Sequence, residues 1–326
     1  MRNNKFQELT EIIQMQYDNI TGIIITKNNE IEYEYYNNDF TQKSTIHIAS
    51  VTKSIISILI GIAIKKNAIK NIDQKVLEFF PEYKIKRGEK TIQEITIKNL
   101  LTMTAPYKYK YEPYTKVYSS DDWTKTSLDL LGGKGKIGEF KYTTVGLQIL
   151  SGILINATGQ TIIEFANENL FTPLEIRKIQ NTRIHNKEEH LAFLKDKNVT
   201  GWVVDPKEVN TAGWGLSLTT PDILKIGKLY LNKGMWDNKQ IVSSEWVKES
   251  TRKHSQWGDL PYGYLWWIIK DFERNCYAAI GDGGNIIFVH PEKKIIVAIT
   301  SSFMPRAKDR IELISKNILP LLDDPE

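Results

Sequence analysis

The sequence predicts an α+β protein: one antiparallel sheet built from both ends of the chain, flanked by terminal helices, with a mostly helical lobe inserted between. Three observations carry this prediction. Two strand-like runs, residues 22–26 and 31–36, lie near the N-terminus. Four more follow in quick succession near the C-terminus, at 262–270, 276–280, 286–290 and 294–300. The stretch between reads as helices and irregular segments. The expected division is a discontinuous sheet lobe, 1–65 with 206–326, and a helical lobe, 66–205, with a binding cleft where they meet.

Each element has its own warrant. Phe6, Leu9, Ile12, Ile13 and Met15 give residues 4–17 a helical stripe. Lys27, Asn28, Asn29 and Glu30 form a turn between the first two strands, making a hairpin. A strongly apolar helix starts near Ser50, and a short one covers 97–103. Residues 106–136 show no clear element, and a loop of that length in a compact protein is usually a lid or a cleft wall. Apolar helices are expected at 145–157 and 160–170, separated by Thr158 and Gly159. Thr220, Pro221 and Asp222 open a helix that runs to Leu231, with proline at an early helical position. Ser243 or Ser244 caps the next, through about Thr251. Residues 309–322 form a final amphipathic helix.

Composition excludes several functions. The 326 residues are 41% hydrophobic and 25% charged, and 43 basic residues against 39 acidic give a net charge of +4. That balance, without a basic stripe, argues against nucleic acid as a partner. Residues 107–116 interleave tyrosines with lysines, but they read better as a loop over a cleft or a solvated surface than as a platform for bases. Cys276 is the only cysteine, so no intramolecular disulfide forms. The five histidines lack H-E-x-x-H spacing; no metal and no cofactor is expected, and His47 reads as a packing residue. The N-terminal stretch carries no apolar signal region or membrane anchor, so a cytoplasmic location is expected.

The chain is organised around residues 46–64. Ser50 and Lys53 stand three apart where the apolar helix begins, so they share a face. Unpaired N–H groups at a helix N-terminus favour developing negative charge. A lysine held against an apolar core tends to lose its proton, and a neutral amine beside a hydroxyl can activate it as a nucleophile. The plainer reading is a capping serine and a solvated lysine. A second S-x-x-K, Ser250 to Lys253, precedes a polar stretch and reads as chance.

A serine nucleophile needs a proton relay, oxyanion donors and a substrate wall. Tyr142, at the mouth of the 145–157 helix, is the candidate relay, and a cationic lysine nearby would lower its pKa. Taken alone, one tyrosine among fifteen is more often structural. Gly281, Asp282, Gly283, Gly284 and Asn285 join two predicted strands; this is either a plain hairpin turn or a place where substrate approaches a strand edge.

Together these segments resemble the serine β-lactamase and penicillin-binding-protein superfamily, in particular class C β-lactamase-like hydrolases such as family VIII esterases, D-alanyl-D-alanine carboxypeptidases and 6-aminohexanoate-dimer hydrolases. S-V-T-K at Ser50 to Lys53 matches the first motif, and Y-T-T at Tyr142 to Thr144 falls where the family has Y-x-N. The flanking L-L-T-M-T from Leu100, G-W-G-L-S-L-T-T-P-D from Gly213, Y-G-Y-L-W-W from Tyr262 and the glycine turn keep the family's order. The absence of a G-x-S-x-G elbow disfavours an α/β-hydrolase.

The resemblance implies a β-lactamase/transpeptidase-like fold and an acyl-enzyme on Ser50, with Lys53 and Tyr142 sharing the base role. It also implies oxyanion donors from the backbones of Ser50 and Asn285, and substrate contacts from Thr144, Asp282, Gly283 and Gly284. Two departures stand out. Thr144 replaces the family's asparagine, and Asp282 stands where K-T-G enzymes have lysine. An aspartate there repels a substrate carboxylate. The expected substrate is therefore a small molecule or peptide-like ester or amide, neutral or bearing an amine, rather than a β-lactam. A catalytically weak or inactive binding or sensor protein on the same scaffold is the alternative reading.

Overall fold

A computed structural model describes residues 6–270 and 276–323. Its centre is an eight-stranded antiparallel sheet. We number its strands β1 (Ile20–Lys27), β2 (Glu30–Tyr36), β3 (Ser255–Trp257), β4 (Leu260–Tyr262), β5 (Trp267–Ile269), β6 (Cys276–Gly281), β7 (Asn285–His290) and β8 (Ile295–Ser301). Their order across the sheet is β2-β1-β8-β7-β6-β5-β4-β3, so N-terminal β1 pairs directly with C-terminal β8. The sheet is thus built from both chain ends, as the pattern of strand-like runs predicts. Asn28 and Asn29, with φ of 52° and 70°, make the β1–β2 turn; asparagine is among the few side chains that adopt this region readily.

Both faces of the central strands β1, β6, β7 and β8 are buried, and strict alternation assigns them. Ile23, Ile25, Ile286, Phe288, Ile295, Val297 and Ile299 point to one side. There they meet α1 (Gln7–Gln16) and the C-terminal helical segment Arg310–Leu313, Ile314–Ile318 and Leu319–Leu322. Ile24, Ile287, Val289, Ile296 and Ala298 point to the other and join the main core. This is why the strands read as continuous apolar runs rather than alternating ones. Each such side chain, fully buried, stabilises the fold by roughly 1.5–3 kcal/mol relative to exposure.

On the second face lie α2 (Val51–Lys65) and α4 (Thr220–Leu231), with α3 (Gln148–Thr158) behind α2. Thirteen of the residues of α2, from Val51 to Ala63, are buried, which accounts for its apolar composition all round. It touches both α3 and β6, so its N-terminus sits where helices and sheet edge converge. Thr219 caps α4 by accepting from the Asp222 amide, with Pro221 in the first turn, as expected.

The structure corrects three expectations. The run 262–270 is a hairpin between β4 and β5, closed by Gly263 donating to the Trp266 carbonyl and by Leu265 at φ 61°. Its alternation of aromatic and apolar residues hides the turn. The polar stretch before it forms the edge strand β3. The segment 106–136 contains two helices, Tyr114–Tyr118 and Trp123–Leu130; the second is capped by the Asp122 carboxylate accepting from the Lys125 amide. An Asp-x-x-Lys cap in a run rich in Ser and Asp is easily read as loop.

Candidate active site

The start of α2 is held from outside the helix. Residues Ile46–His47 pair with Ser217–Leu218, and the Ile48 amide donates to the Leu216 carbonyl at 2.9 Å. Ala49 then turns the chain at φ 48°, a conformation unfavourable for a residue with a Cβ, and the Thr52 hydroxyl locks the turn by donating to the Ala49 carbonyl at 2.7 Å. Ser50 follows at the N-cap with helical dihedrals, and its side chain makes no capping bond. The hydroxyl is therefore not spent on the helix, and Ser50 lines a cleft.

One turn on, Lys53 is only 1% exposed. Its Nζ lies 2.7 Å from Ser50 Oγ, 2.8 Å from the Gly213 carbonyl and 3.2 Å from Thr144 Oγ1. In the protonated form its three N–H groups donate to these three oxygens; in the neutral form two N–H bonds are kept and the lone pair can face the Ser50 hydroxyl. Burial drives the pKa of Lys53 down to about 7, against the opposing attraction of the Asp282 and Glu112 carboxylates. The expected loss of the lysine proton thus follows from this environment.

Tyr142 completes the group. Its hydroxyl hydrogen-bonds with Ser50, and Lys53 Nζ sits 5.0 Å from its ring centre. The ring stacks on Trp267 at 5.9 Å and meets Tyr262 edge-on at 6.4 Å. The expected lowering of the Tyr142 pKa is overturned. Burial pushes it above the ordinary tyrosine value; the Ser50 bond opposes this, and the Asp282 and Glu112 charges add to the rise. A lysine that is itself losing its charge gives little support to a phenolate. Tyr142 is a neutral hydroxyl here, able to donate and to accept.

The glycine turn is placed differently from expectation. Gly281, at the end of β6, is the residue against Ser50: a Cβ there would fall 2.5 Å from the Ile48 carbonyl and 3.1 Å from the Ser50 amide nitrogen. Only glycine permits that approach. Asp282 follows and lines the cleft. Asn285 does not reach it. That residue is buried, pairs with Gly281 across the strands, and spends its side chain on the His47 and Asp282 carbonyls and the Ser301 amide. Gly283 and Gly284, at φ 79° and 93°, are not among the residues that line the cleft with Ser50. The Gly283 carbonyl accepts from Asn19 Nδ2 at 2.7 Å, and Gly284 packs against the guanidinium of buried Arg310. The strand-end glycine is Gly281, so a reading in the K-T-G manner puts Ala279, not Asp282, in the place of the lysine, and no cation stands there.

The cleft has a volume of about 870 Å³. Tyr114, Tyr142, Trp257, Leu260 and Trp267 supply its apolar walls. Glu112, Asp259, Asp282 and Asp309 line it against a single lysine, Lys270. Sequence reasoning missed Glu112, whose Oε2 accepts from the Thr144 and Val145 amides, both at 3.0 Å. It is the only acidic residue between Glu94 and Asp121, a signal that was available. Trp257, Asp259 and Asp309 had none, because β3 and the C-terminal helix meet the site only through the fold. His47 packs as expected: its Nε2 accepts from the Gly215 amide at 3.0 Å, and burial, helped by His190, drives its pKa to about 3.

A sheet from both chain ends, a buried Ser–Lys pair at a helix N-terminus, a tyrosine beside it and a glycine strand end define a scaffold of the kind that supports acyl transfer. The beta-lactamase family profile matches residues 8–318, and the chain belongs to that family. A 6-aminohexanoate-dimer hydrolase from Paenarthrobacter ureafaciens is 22% identical over 308 residues, covering 86% of this chain and 72% of the relative. Among solved structures, the octameric penicillin-binding protein homologue from Pyrococcus abyssi superposes with a TM-score of 0.69 at 20% identity, over 98% of this chain and 76% of the other. A penicillin-binding protein homologue from Caulobacter crescentus gives 0.71 at 15% identity, over 93% and 92%. The fold is therefore β-lactamase/transpeptidase-like, and the chain is a hydrolase of this superfamily.

Proposed function

We propose that the protein is a serine hydrolase that works through an acyl-enzyme on Ser50. The observation that carries this reading is the placing of Lys53: a buried amine 2.7 Å from the Ser50 hydroxyl, held there by the Gly213 carbonyl and the Thr144 hydroxyl. In the mechanism, Ser50 Oγ attacks the substrate carbonyl while its proton passes to Lys53 Nζ. The oxyanion is held by the Ser50 amide and by that of Asp282, the residue after the glycine that abuts Ser50. Tyr142 donates its proton to the leaving group as the carbonyl–leaving-group bond breaks, and Lys53 returns one to Tyr142. Water then attacks the Ser50 ester, giving up a proton to the same pair, and the Ser50 oxygen leaves reprotonated.

The substrate is an ester or amide, neutral or carrying an amine, in preference to a β-lactam. Four carboxylates, Glu112, Asp259, Asp282 and Asp309, line the cleft, against the single lysine Lys270. A substrate carboxylate is repelled there, whereas an ammonium is attracted by the carboxylates and by the faces of Trp257 and Tyr114. That one relative is named a 6-aminohexanoate-dimer hydrolase is in keeping with an amine-bearing substrate.

The test is a fluorophosphonate probe on wild type and Ser50→Ala, followed by turnover of short-chain p-nitrophenyl esters, neutral or amine-bearing, beside a chromogenic cephalosporin. Labelling lost in Ser50→Ala, with esters outpacing the cephalosporin, supports the reading. A wild type that neither labels nor turns over any of them points instead to a binding or sensor protein. Fast cephalosporin turnover with sluggish esters overturns the substrate preference.

A further inference from the structure

The chain around Tyr142 has no regular structure of its own: α3 begins only at Gln148. Yet this segment must present two side chains, Tyr142 to Ser50 and Thr144 to Lys53. What holds it comes from another part of the chain. The Tyr109 hydroxyl bonds Thr143 Oγ1 at 2.6 Å, and Thr143 Oγ1 in turn accepts from the Gly146 amide at 3.0 Å. The Ser127 hydroxyl donates to the Val145 carbonyl at 2.8 Å. Glu112 takes the two remaining amides: its Oε2 accepts from both Thr144 and Val145 at 3.0 Å. Charge-assisted bonds of this kind are about twice as strong as neutral ones.

We propose that Glu112 is a positioning residue for the reaction: its carboxylate grips the Thr144 and Val145 amides, and so fixes Thr144 against Lys53 and Tyr142 against Ser50. This rests on the serine-hydrolase reading. Thr144 is the link. Its amide is held by Glu112, while its hydroxyl accepts from Lys53 Nζ at 3.2 Å. The residue on which the Lys53 amine rests is thus pinned from behind by a carboxylate. The shorter threonine in place of an asparagine makes this arrangement depend on the backbone: its hydroxyl reaches Lys53 at 3.2 Å, and the main chain must be held still for that contact to persist.

The carboxylate does a second thing. Its charge faces Lys53, as does that of Asp282, and both favour the protonated amine against the effect of burial; the other titratable neighbour is Tyr142, which stays neutral. Glu112→Gln therefore separates the two roles. The amide oxygen of glutamine can accept from the same two amides, but the charge is gone.

The experiment measures kcat/KM against pH, with a p-nitrophenyl ester, for wild type, Glu112→Gln and Glu112→Ala, with thermal melts of each. Glu112→Ala is expected to lose about 10²-fold on the pH plateau, the scale of a misplacement near 1 Å. Glu112→Gln is expected to recover to within a few-fold of wild type, with its acid limb moved to lower pH because Lys53 has lost one attracting charge. Should Glu112→Ala not fold, Glu112→Asp replaces it, since the shorter side chain cannot bring an oxygen within reach of the two amides. A loss variant at the wild-type plateau overturns the proposal. So does a Glu112→Gln as poor as the loss variant, which would make the charge, not the grip, essential. A wild type without labelling or turnover overturns the hydrolase reading itself, and is told apart by needing no variant.

Discussion

The Lys53 amine lies 2.7 Å from the Ser50 hydroxyl, while a pKa brought down to about 7 leaves it half-neutral at neutral pH. The reaction needs the neutral form as proton acceptor. Activity must therefore rise with pH: below about 7 Lys53 holds a proton and cannot accept that of Ser50. A plot of kcat/KM against pH is expected to show an acid limb with an apparent pKa near 7. The alkaline side is expected to stay flat through the ordinary tyrosine range, because burial holds Tyr142 protonated above its usual 10.0. An acid limb in the carboxylate range, between about 4 and 5, would assign the base role to a residue other than Lys53.

The same depressed pKa has a consequence for stability. In the unfolded chain Lys53 ionises at about 10.5, and in the fold at about 7. A folded pKa below the unfolded one means that the folded state binds fewer protons between those values. Its contribution to stability is present in full above the unfolded pKa and is lost as pH falls through the folded one. Lys53→Met removes that burden and keeps the volume. It also leaves the Gly213 carbonyl without its partner, which offsets part of the gain. The expected outcome at pH 6 is a protein about 1–3 kcal/mol more stable than wild type, with acylation reduced by a factor of about 10²–10⁴. Denaturant melts at pH 6 and pH 10 check it: the advantage should shrink at the higher pH. An advantage that does not depend on pH would mean that repacking, not the lysine charge, is the cause.

These predictions rest on residues that were legible in the sequence to different degrees. Ser50 and Lys53 were readable because a helix face is a local property: three residues apart, next to a run of isoleucines, they could only be neighbours. The centre of the sheet was readable for a similar reason, since β1, β6, β7 and β8 are buried on both faces and each carries its own apolar signal, whereas the polar edge strand β3 carries none. Tyr142 was found through order and flanks, but its pKa was not. The sign is set first by the burial of the ring and then by the Asp282 and Glu112 charges brought in from elsewhere in the chain, which no local pattern encodes. The glycine turn shows the limit most clearly. Three glycines within four residues offer several registers, and only the contact of Gly281 with the Ser50 backbone chooses among them. Glu112 was missed because its partners, the Thr144 and Val145 amides, lie more than thirty residues away.

Tyr142 can be tested without disturbing its packing. The ring stacks on Trp267 and meets Tyr262 edge-on, and phenylalanine keeps both contacts. Tyr142→Phe removes only the hydroxyl that serves Ser50. Turnover is expected to fall by about 10²–10⁴-fold, the usual worth of a positioned acid–base group. The acid limb should remain near 7, because Lys53 sets it. A substrate with a good leaving group, such as a p-nitrophenyl ester, should suffer less than an amide, since the amide nitrogen must be protonated to depart. Equal losses for both would place Tyr142 in activation of the nucleophile rather than in the relay.

Gly281 offers the sharpest test of the oxyanion side. A methyl group there would come within 2.5 Å of the Ile48 carbonyl and 3.2 Å of the Ala49 Cβ, both belonging to the strained turn that sets Ser50. Neither is a flexible side-chain end, so Gly281→Ala must push β6 away from the start of α2. Overpacking of this sort costs about 1–3 kcal/mol, which a melt will register. The larger effect should be on chemistry. The Ser50 and Asp282 amides would no longer converge on one point, and acylation is expected to fall by about 10²-fold or more. Binding of a neutral substrate analogue should change little by comparison, because the aromatic walls of the cleft come from Tyr114, Trp257 and Trp267. Pre-steady-state acylation and equilibrium binding, measured on the same variant, separate the two. If acylation survives while the melting temperature drops, the close approach of Gly281 to Ser50 serves packing alone, and the second oxyanion donor must be sought away from β6.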